Sequence, residues 1–149
     1  MSKQGFRLGQ VLGHKRRLEE QRQLELQQLL AADERIRIEM EELHARIETQ
    51  MGDVAERVRS GSVDATELEA ASRYVARLER LVAQQQALMD DSAAQVAQGR
   101  EALILALQER RALELLQERQ DSAARVETDR REERAVDDIN SARFGTGSH

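Results

Sequence analysis

The residues through which this chain could do chemistry are three histidines and 28 carboxylates, and their spacing gathers few of them. His44 and Glu48 stand four apart, which would put both on one face of a helix and within reach of a shared metal ion. Zinc normally takes three or four protein ligands, and no third candidate accompanies this pair. His14 has no candidate partner. Carboxylates are abundant, but general acid–base catalysis needs one whose pKa is raised by burial or neighbours, and a solvated helix face supplies neither. Gly5, Gly9 and Gly13 are followed by Lys15-Arg16 rather than the Gly-Lys-Ser/Thr of a phosphate loop. The chain has no cysteine, which excludes disulfides and thiolate metal sites. The expectation is no catalytic residue, no metal site, no cofactor and no enzyme.

The elements that carry these residues explain why they stay apart. Of 149 residues, 34% are charged and 2% aromatic, with no Trp and no Pro. A globular core of that size normally draws on aromatic side chains, each of which buries a large apolar area. Leu, Ala, Val, Glu, Gln and Arg dominate instead, the mixture of long helices and coiled coils. A proline inside a helix costs roughly 3 kcal/mol or more, so a chain without one is free to run very long helices. No stretch approaches the ~20 apolar residues that span a bilayer, and the opening residues lack the apolar run of a signal peptide. A cytoplasmic location is expected. The net charge is −5, with acids and bases interleaved. Phosphate neutralisation calls for a basic face, and Lys15-Arg16-Arg17 is followed at once by Glu19 and Glu20, so nucleic acid is not an expected partner.

One strong break interrupts the chain, at Arg59-Ser60-Gly61-Ser62. Asp64-Ala65-Thr66-Glu67 then has the spacing of a capping box and reads as a fresh helix start. The expected organisation is a single coiled-coil hairpin over residues 1–144. It has a helix over about 6–58, a turn at 59–63, a second helix over about 64–143 and a disordered tail at 145–149.

Coiled-coil seams place apolar residues alternately three and four apart, at heptad positions a and d. From Leu68 the series runs Ala71, Val75, Leu78, Val82, Gln85, Met89, Ser92, Val96, Gly99, Leu103, Ala106, Arg110, Leu113. Ten of these fourteen are apolar and the register never changes. The first helix offers Leu26, Leu29, Asp33, Ile36, Met40, Leu43 and Ile47, extended imperfectly by Leu8, Leu12, Met51, Val54 and Val58. A tight turn between two such helices favours antiparallel neighbours. The fold class is therefore all-α: two long helices in an antiparallel coiled-coil hairpin, the second longer and overhanging at its C-terminal end. Reflection about Gly61 sets Leu43 near Glu79 and Leu8 near Glu114. It leaves about 120–143 without an intramolecular partner, an overhang of about 36 Å at 1.5 Å per residue. The alternative is pairing between chains, giving an oligomeric structural rod.

Several features lie outside or interrupt the seam. With Leu68 at a, the residues Tyr74, Leu81 and Leu88 fall at g and form a second apolar row. Such a row either broadens a core or docks a partner, and a two-helix hairpin has no third element to cover it. The glycines at 5, 9 and 13 read as a weak helix start, each costing roughly 0.8–1 kcal/mol against Ala. Gln85, Ser92, Gly99 and Arg110 interrupt the seam, where polar residues set register or leave a bendable middle.

Both ends of the chain carry recognisable motifs. The run from Gly5 through Phe6-Arg7-Leu8-Gly9-Gln10-Val11-Leu12 to Glu19-Glu20 resembles the Phe-Arg/Lys-Leu opening of the FliJ family of flagellar type III export proteins. Glu109-Arg110-Arg111-Ala112-Leu113-Glu114-Leu115-Leu116-Gln117-Glu118-Arg119 is similar to an internal stretch of that family. Arg131-Glu132-Glu133-Arg134-Ala135-Val136-Asp137-Asp138-Ile139 resembles its ending, departing from it at Val136, Asp138 and Asn140. The resemblance implies a stalk-like export chaperone with three partners: the hexameric flagellar export ATPase, the cytoplasmic domain of the export gate, and export chaperones. By motif position, ring binding would fall to Phe6, Leu8, Val11, Leu12, Arg130, Arg131, Arg134, Asp137, Asp138 and Ile139. Gate binding would fall to Tyr74, Leu78, Leu81 and Gln85, overlapping the second apolar row. The resemblance also implies a monomer when isolated, held at the inner membrane of the flagellar base only through its partners.

Overall fold

The computed structural model describes residues 3–146. They form two helices, α1 (Lys3–Ser60) and α2 (Ala65–Thr146), and no strand is present among the described residues. The helices pack against each other as an antiparallel hairpin, joined by a turn at 61–64. Gly61 is the one described residue with φ in the left-handed region, at 71°. Its amide donates to the Val58 carbonyl at 3.3 Å and the Ser62 amide donates to that of Arg57 at 3.1 Å. These two bonds make a Schellman cap, which satisfies the last carbonyls of α1 and calls for glycine at that position. Asp64 then caps α2, its Oδ1 accepting from the Glu67 amide at 2.8 Å.

Both helices exceed their expected bounds. α1 begins at Lys3 rather than Phe6 and ends at Ser60, so the turn starts at Gly61 instead of centring on it. The antiparallel register is shifted accordingly: Ser92 meets Asp33 and Glu67 meets Arg57, partners reflected about residues 62–63. At the far end α2 continues through Gly145 and Thr146, where a disordered tail was expected; the rest of that tail, 147–149, lies outside the described residues.

The packing falls into two units. The first, residues 21–103, surrounds the turn. Its α2 seam follows the expected series: Leu78 (2% exposed), Gln85, Ser92 and Val96 are buried, with Ala71, Val75, Val82, Met89, Gly99 and Leu103 half-buried between them. Burying a leucine fully contributes ~1.5–3 kcal/mol. The α1 seam here is more regular than its apolar residues imply. The buried and half-buried positions step by three and four from Arg22 through Leu26, Leu29, Asp33, Ile36, Met40, Leu43, Ile47 and Gln50 to Val54. Met51 and Val58, expected to extend the series, are instead exposed, because Gln50 holds the register. Leu68 is also exposed, lying in the first turn of α2.

Each interruption of this seam is answered from the other helix. Ser92 donates to Asp33 at 2.9 Å, and Asp33 is further held by Arg37 at 3.1 Å. Gln85 donates to Glu39. Gly99 receives two leucines: a Cβ there would stand 2.9 Å from the Leu29 Cδ1 and 3.4 Å from that of Leu26. The missing side chain is the hole for those knobs. Polar seam layers of this sort specify one register over its neighbours.

The second unit comprises residues up to 20 together with those from 104 onward. Leu12 (2% exposed) and Ala106 are buried, and Leu8, Leu18 and Leu113 are half-buried. Ion pairs fill the rest of the seam. Lys15 meets Glu109 at 2.8 Å, and Arg110 holds both Glu19 of α1 and Glu114 of its own helix, the latter at 2.9 Å. Beyond Gln117 no buried or half-buried residue remains, and all side chains from Glu118 to Gly145 are exposed.

Candidate protein-binding surfaces

In the unit around the turn, the apolar row beside the seam faces solvent. Tyr74, Leu81 and Leu88 are 37%, 39% and 50% exposed. Tyr74 borders an open groove with Gln50, Asp53, Arg57 and Glu67, while Leu81 borders another with Glu39, Glu42 and Arg46. The row therefore combines apolar area with charged residues of α1 beside it. Leu78 and Gln85, expected beside them as contacts, are seam residues: Leu78 is buried and Gln85 is spent on Glu39. They lie beneath the row and position it.

On the other edge of the seam lies a groove of about 440 Å³ that sequence reasoning missed, with Met51, Ala55, Leu68, Ala76 and Glu79 among its lining residues. The signal present in the sequence was Met51, an apolar residue one place out of step with the seven-residue repeat of α1.

In the other unit, Phe6 and Val11 are 62% and 44% exposed, Leu8 is half-buried and Leu12 is fully enclosed in the seam. Leu12 thus supports its neighbours from within the seam. Arg130, Arg131, Arg134, Asp137, Asp138 and Ile139 are all exposed on α2 beyond the last seam layer. The seam register, carried forward along α2, passes through Gln120, Ala124, Glu127, Arg131, Arg134 and Asp138, which are polar apart from Ala124. A stripe that is apolar where α1 covers it turns charged where nothing does. Arg131 is braced by Glu127 at 3.5 Å.

The ion-pair cluster was not anticipated, although Lys15, Glu19 and Arg22 continue the three-four spacing of α1. The hydrogen bond from Arg110 is the largest cause lowering the Glu114 carboxyl from its ordinary value; desolvation opposes it next, and the charge of Arg110 and the bonds from Arg16 and Arg111 add smaller lowering effects. The same bond to Glu114, followed by that to Glu19, raises the Arg110 guanidinium further above its ordinary value. Both groups are charged at neutral pH and act as a fixed clasp between the helices.

Among the described residues no group of three or more His, Asp or Glu is gathered as a metal site would require. His44 and Glu48 are both exposed. No described helix is long and apolar enough to cross a membrane. What the fold offers is surface along a paired seam, and the class it defines is a two-helix coiled-coil protein. The sequence model of the flagellar FliJ protein matches residues 3–148, and the chain belongs to that family. Membership makes it a component related to flagellar protein export. No curated protein and no solved structure matches the chain.

Proposed function

We propose that this protein is a non-enzymatic stalk and chaperone of the flagellar type III export apparatus, coupling ATP hydrolysis to protein export. The observation that carries this reading is the stretch of α2 beyond Gln117, a charged and wholly exposed helix attached to a firmly paired hairpin. Among its charges it exposes Val126, Val136, Ile139 and Phe144, apolar side chains that a partner could cover. At 1.5 Å per residue its length is about 42 Å, enough to reach deep into a ring-shaped assembly.

In this reading Phe6, Val11, Arg130, Arg131, Arg134, Asp137, Asp138 and Ile139 contact the hexameric export ATPase, with Leu8 and Leu12 supporting them. Tyr74 and Leu81 contact the cytoplasmic domain of the export gate, with Leu78 and Gln85 holding them in place. Export chaperones are further partners. The protein acts as a monomer in the cytoplasm, at the inner membrane of the flagellar base through those partners. The test is co-purification with the flagellar export ATPase of the same organism, together with its effect on hexamer assembly. A chain that neither co-purifies nor alters assembly is not a stalk.

A further inference from the structure

Beyond its seam, α2 carries a second, sparser stripe. With a and d turned toward α1, positions c and f lie on the side of the helix turned away. Leu105, Leu115, Val126 and Val136 occupy them and are 56%, 40%, 49% and 55% exposed. All four belong to one unit of the molecule. The stripe starts in the part of α2 that α1 covers and continues into the part that it does not, over about 46 Å at 1.5 Å per residue. α1 packs on the other side, so the stripe is left to solvent.

This stripe is its own complement when reversed. Turning a second copy of α2 antiparallel about the point between Gln120 and Asp121 sets Leu105 against Val136 and Leu115 against Val126. At the flanking positions b and g, the same reversal sets Ile104 beside Ile139 and Leu116 beside Ala123. It also sets Glu109 beside Arg130, Arg111 beside Glu132 and Glu118 beside Arg125, and each of these pairs joins opposite charges. Arg111 already meets Glu114 at 3.4 Å and Glu118 at 3.8 Å within its own helix, so the flanks of two copies join into networks.

Neighbouring registers do the opposite. A slip of one heptad in one direction puts Leu115 against Arg119 and Arg111 beside Arg125. In the other direction it puts Leu115 against Glu133 and Glu118 beside Glu132. A parallel pair in register stacks Asp129 and Glu133 each on its own counterpart. One antiparallel register is therefore favoured and its competitors are penalised by like charges.

We infer that this chain self-associates through the outward stripe of α2, two copies packing antiparallel over residues 105–136. Self-association goes beyond the export reading and stands without it. The layers between the apolar ones are polar or thin: Gln108 faces Glu133, Ala112 faces Asp129 and Arg119 faces Ser122. The pair is accordingly weak, forming at micromolar concentration and above. Its flanks include Arg130 and Ile139, so a chain engaged at those residues by another partner is single. The dimer is the form taken while the overhang is unengaged.

The experiment is sedimentation equilibrium of the full chain at concentrations up to about 100 µM, where weak dimers are populated. The variants are Glu118→Arg, Arg125→Glu and the two together. Both side chains are exposed and lie beyond the last seam layer, so helicity, checked by circular dichroism, is expected to hold. The wild type is expected to dimerise. Each single substitution puts like charges at two places in the dimer and is expected to weaken it by about tenfold. The double variant is expected to recover most of that loss. An equimolar mixture of the two single variants is expected to associate better than either alone, because opposite charges then meet at both places. A wild type that stays monomeric at every concentration overturns the inference. A dimer that the single substitutions leave unchanged, or that the double variant fails to recover, overturns this stripe and register.

Discussion

At the scale of single residues, glycine positions separate by what surrounds them. Gly52 lies within α1 with open space where a Cβ would go, whereas Gly61 holds a left-handed φ that ends the helix. Gly52→Ala is expected to stabilise the protein by about 1 kcal/mol through helix propensity. Gly61→Ala is expected to cost about 1–2 kcal/mol through backbone strain. Urea unfolding followed by circular dichroism measures both, and equal effects would contradict the cap described here. The Asp33–Ser92 layer gives a second contrast. Ser92→Ala removes one bond to a largely buried carboxylate and is expected to cost about 1–3 kcal/mol. Replacing Asp33 by Leu as well should recover much of that loss, since no unpaired charge then remains. A double variant no better than the single one would mean that Asp33 is already satisfied by Arg37.

At the scale of elements, the two paired stretches are held by different chemistry and should respond differently to solvent. The Glu114 carboxyl is depressed below its ordinary value of 4.5. A group whose pKa is lowered on folding contributes stability above its unfolded value, and that contribution is lost as pH falls through the folded one. Facing it are Arg16 from α1 and Arg110 and Arg111 from α2, with Lys15 and Glu19 close by in the same cluster. Protection of the amides around Leu12 and Ala106, corrected for the intrinsic pH dependence of exchange, is therefore expected to fall as pH drops through and below about 4.5. Glu114→Gln should remove most of that pH dependence, and a variant with an unchanged profile would exclude the clasp as its source. For α2, truncation after Gln120 removes exposed helix alone. The paired part is expected to keep its unfolding midpoint while total helicity falls in proportion to the residues removed. A lowered midpoint would mean that the removed segment packs.

At the scale of the molecule, binding is expected to be separable from folding. Tyr74→Ala with Leu81→Ala should weaken binding to the cytoplasmic domain of the export gate by about tenfold or more while leaving helicity nearly unchanged, because both residues lie outside the seam. Leu78→Ala should do the reverse first, destabilising the hairpin by about 2–5 kcal/mol through a cavity in the seam. Pull-down with the gate domain and thermal unfolding, run on the same variants, distinguish a contact residue from a supporting one. If the Tyr74 and Leu81 pair loses helicity instead, the row is core.

The sequence by itself determined the helices, their break, the α2 seam and the family motifs. Those are local: three-four spacing, the absence of proline, and the cap residues Gly61 and Asp64 act within one or two turns. It also determined that α2 outlasts its partner, which is counting. Only tertiary structure decided which side chains of an apolar or polar set face the other helix. Gln50 took the seam place expected of Met51, because periodicity outweighs hydrophobicity at a single position. Lys15 and Glu19 entered the seam because each finds its counter-charge across it, in Glu109 and in the Arg110 already counted in the α2 series, a pairing that neither helix's sequence shows alone. Leu12, Leu78 and Gln85 are buried as their places in the three-four series imply, so the contact roles that motif position assigns to them compete with their seam positions.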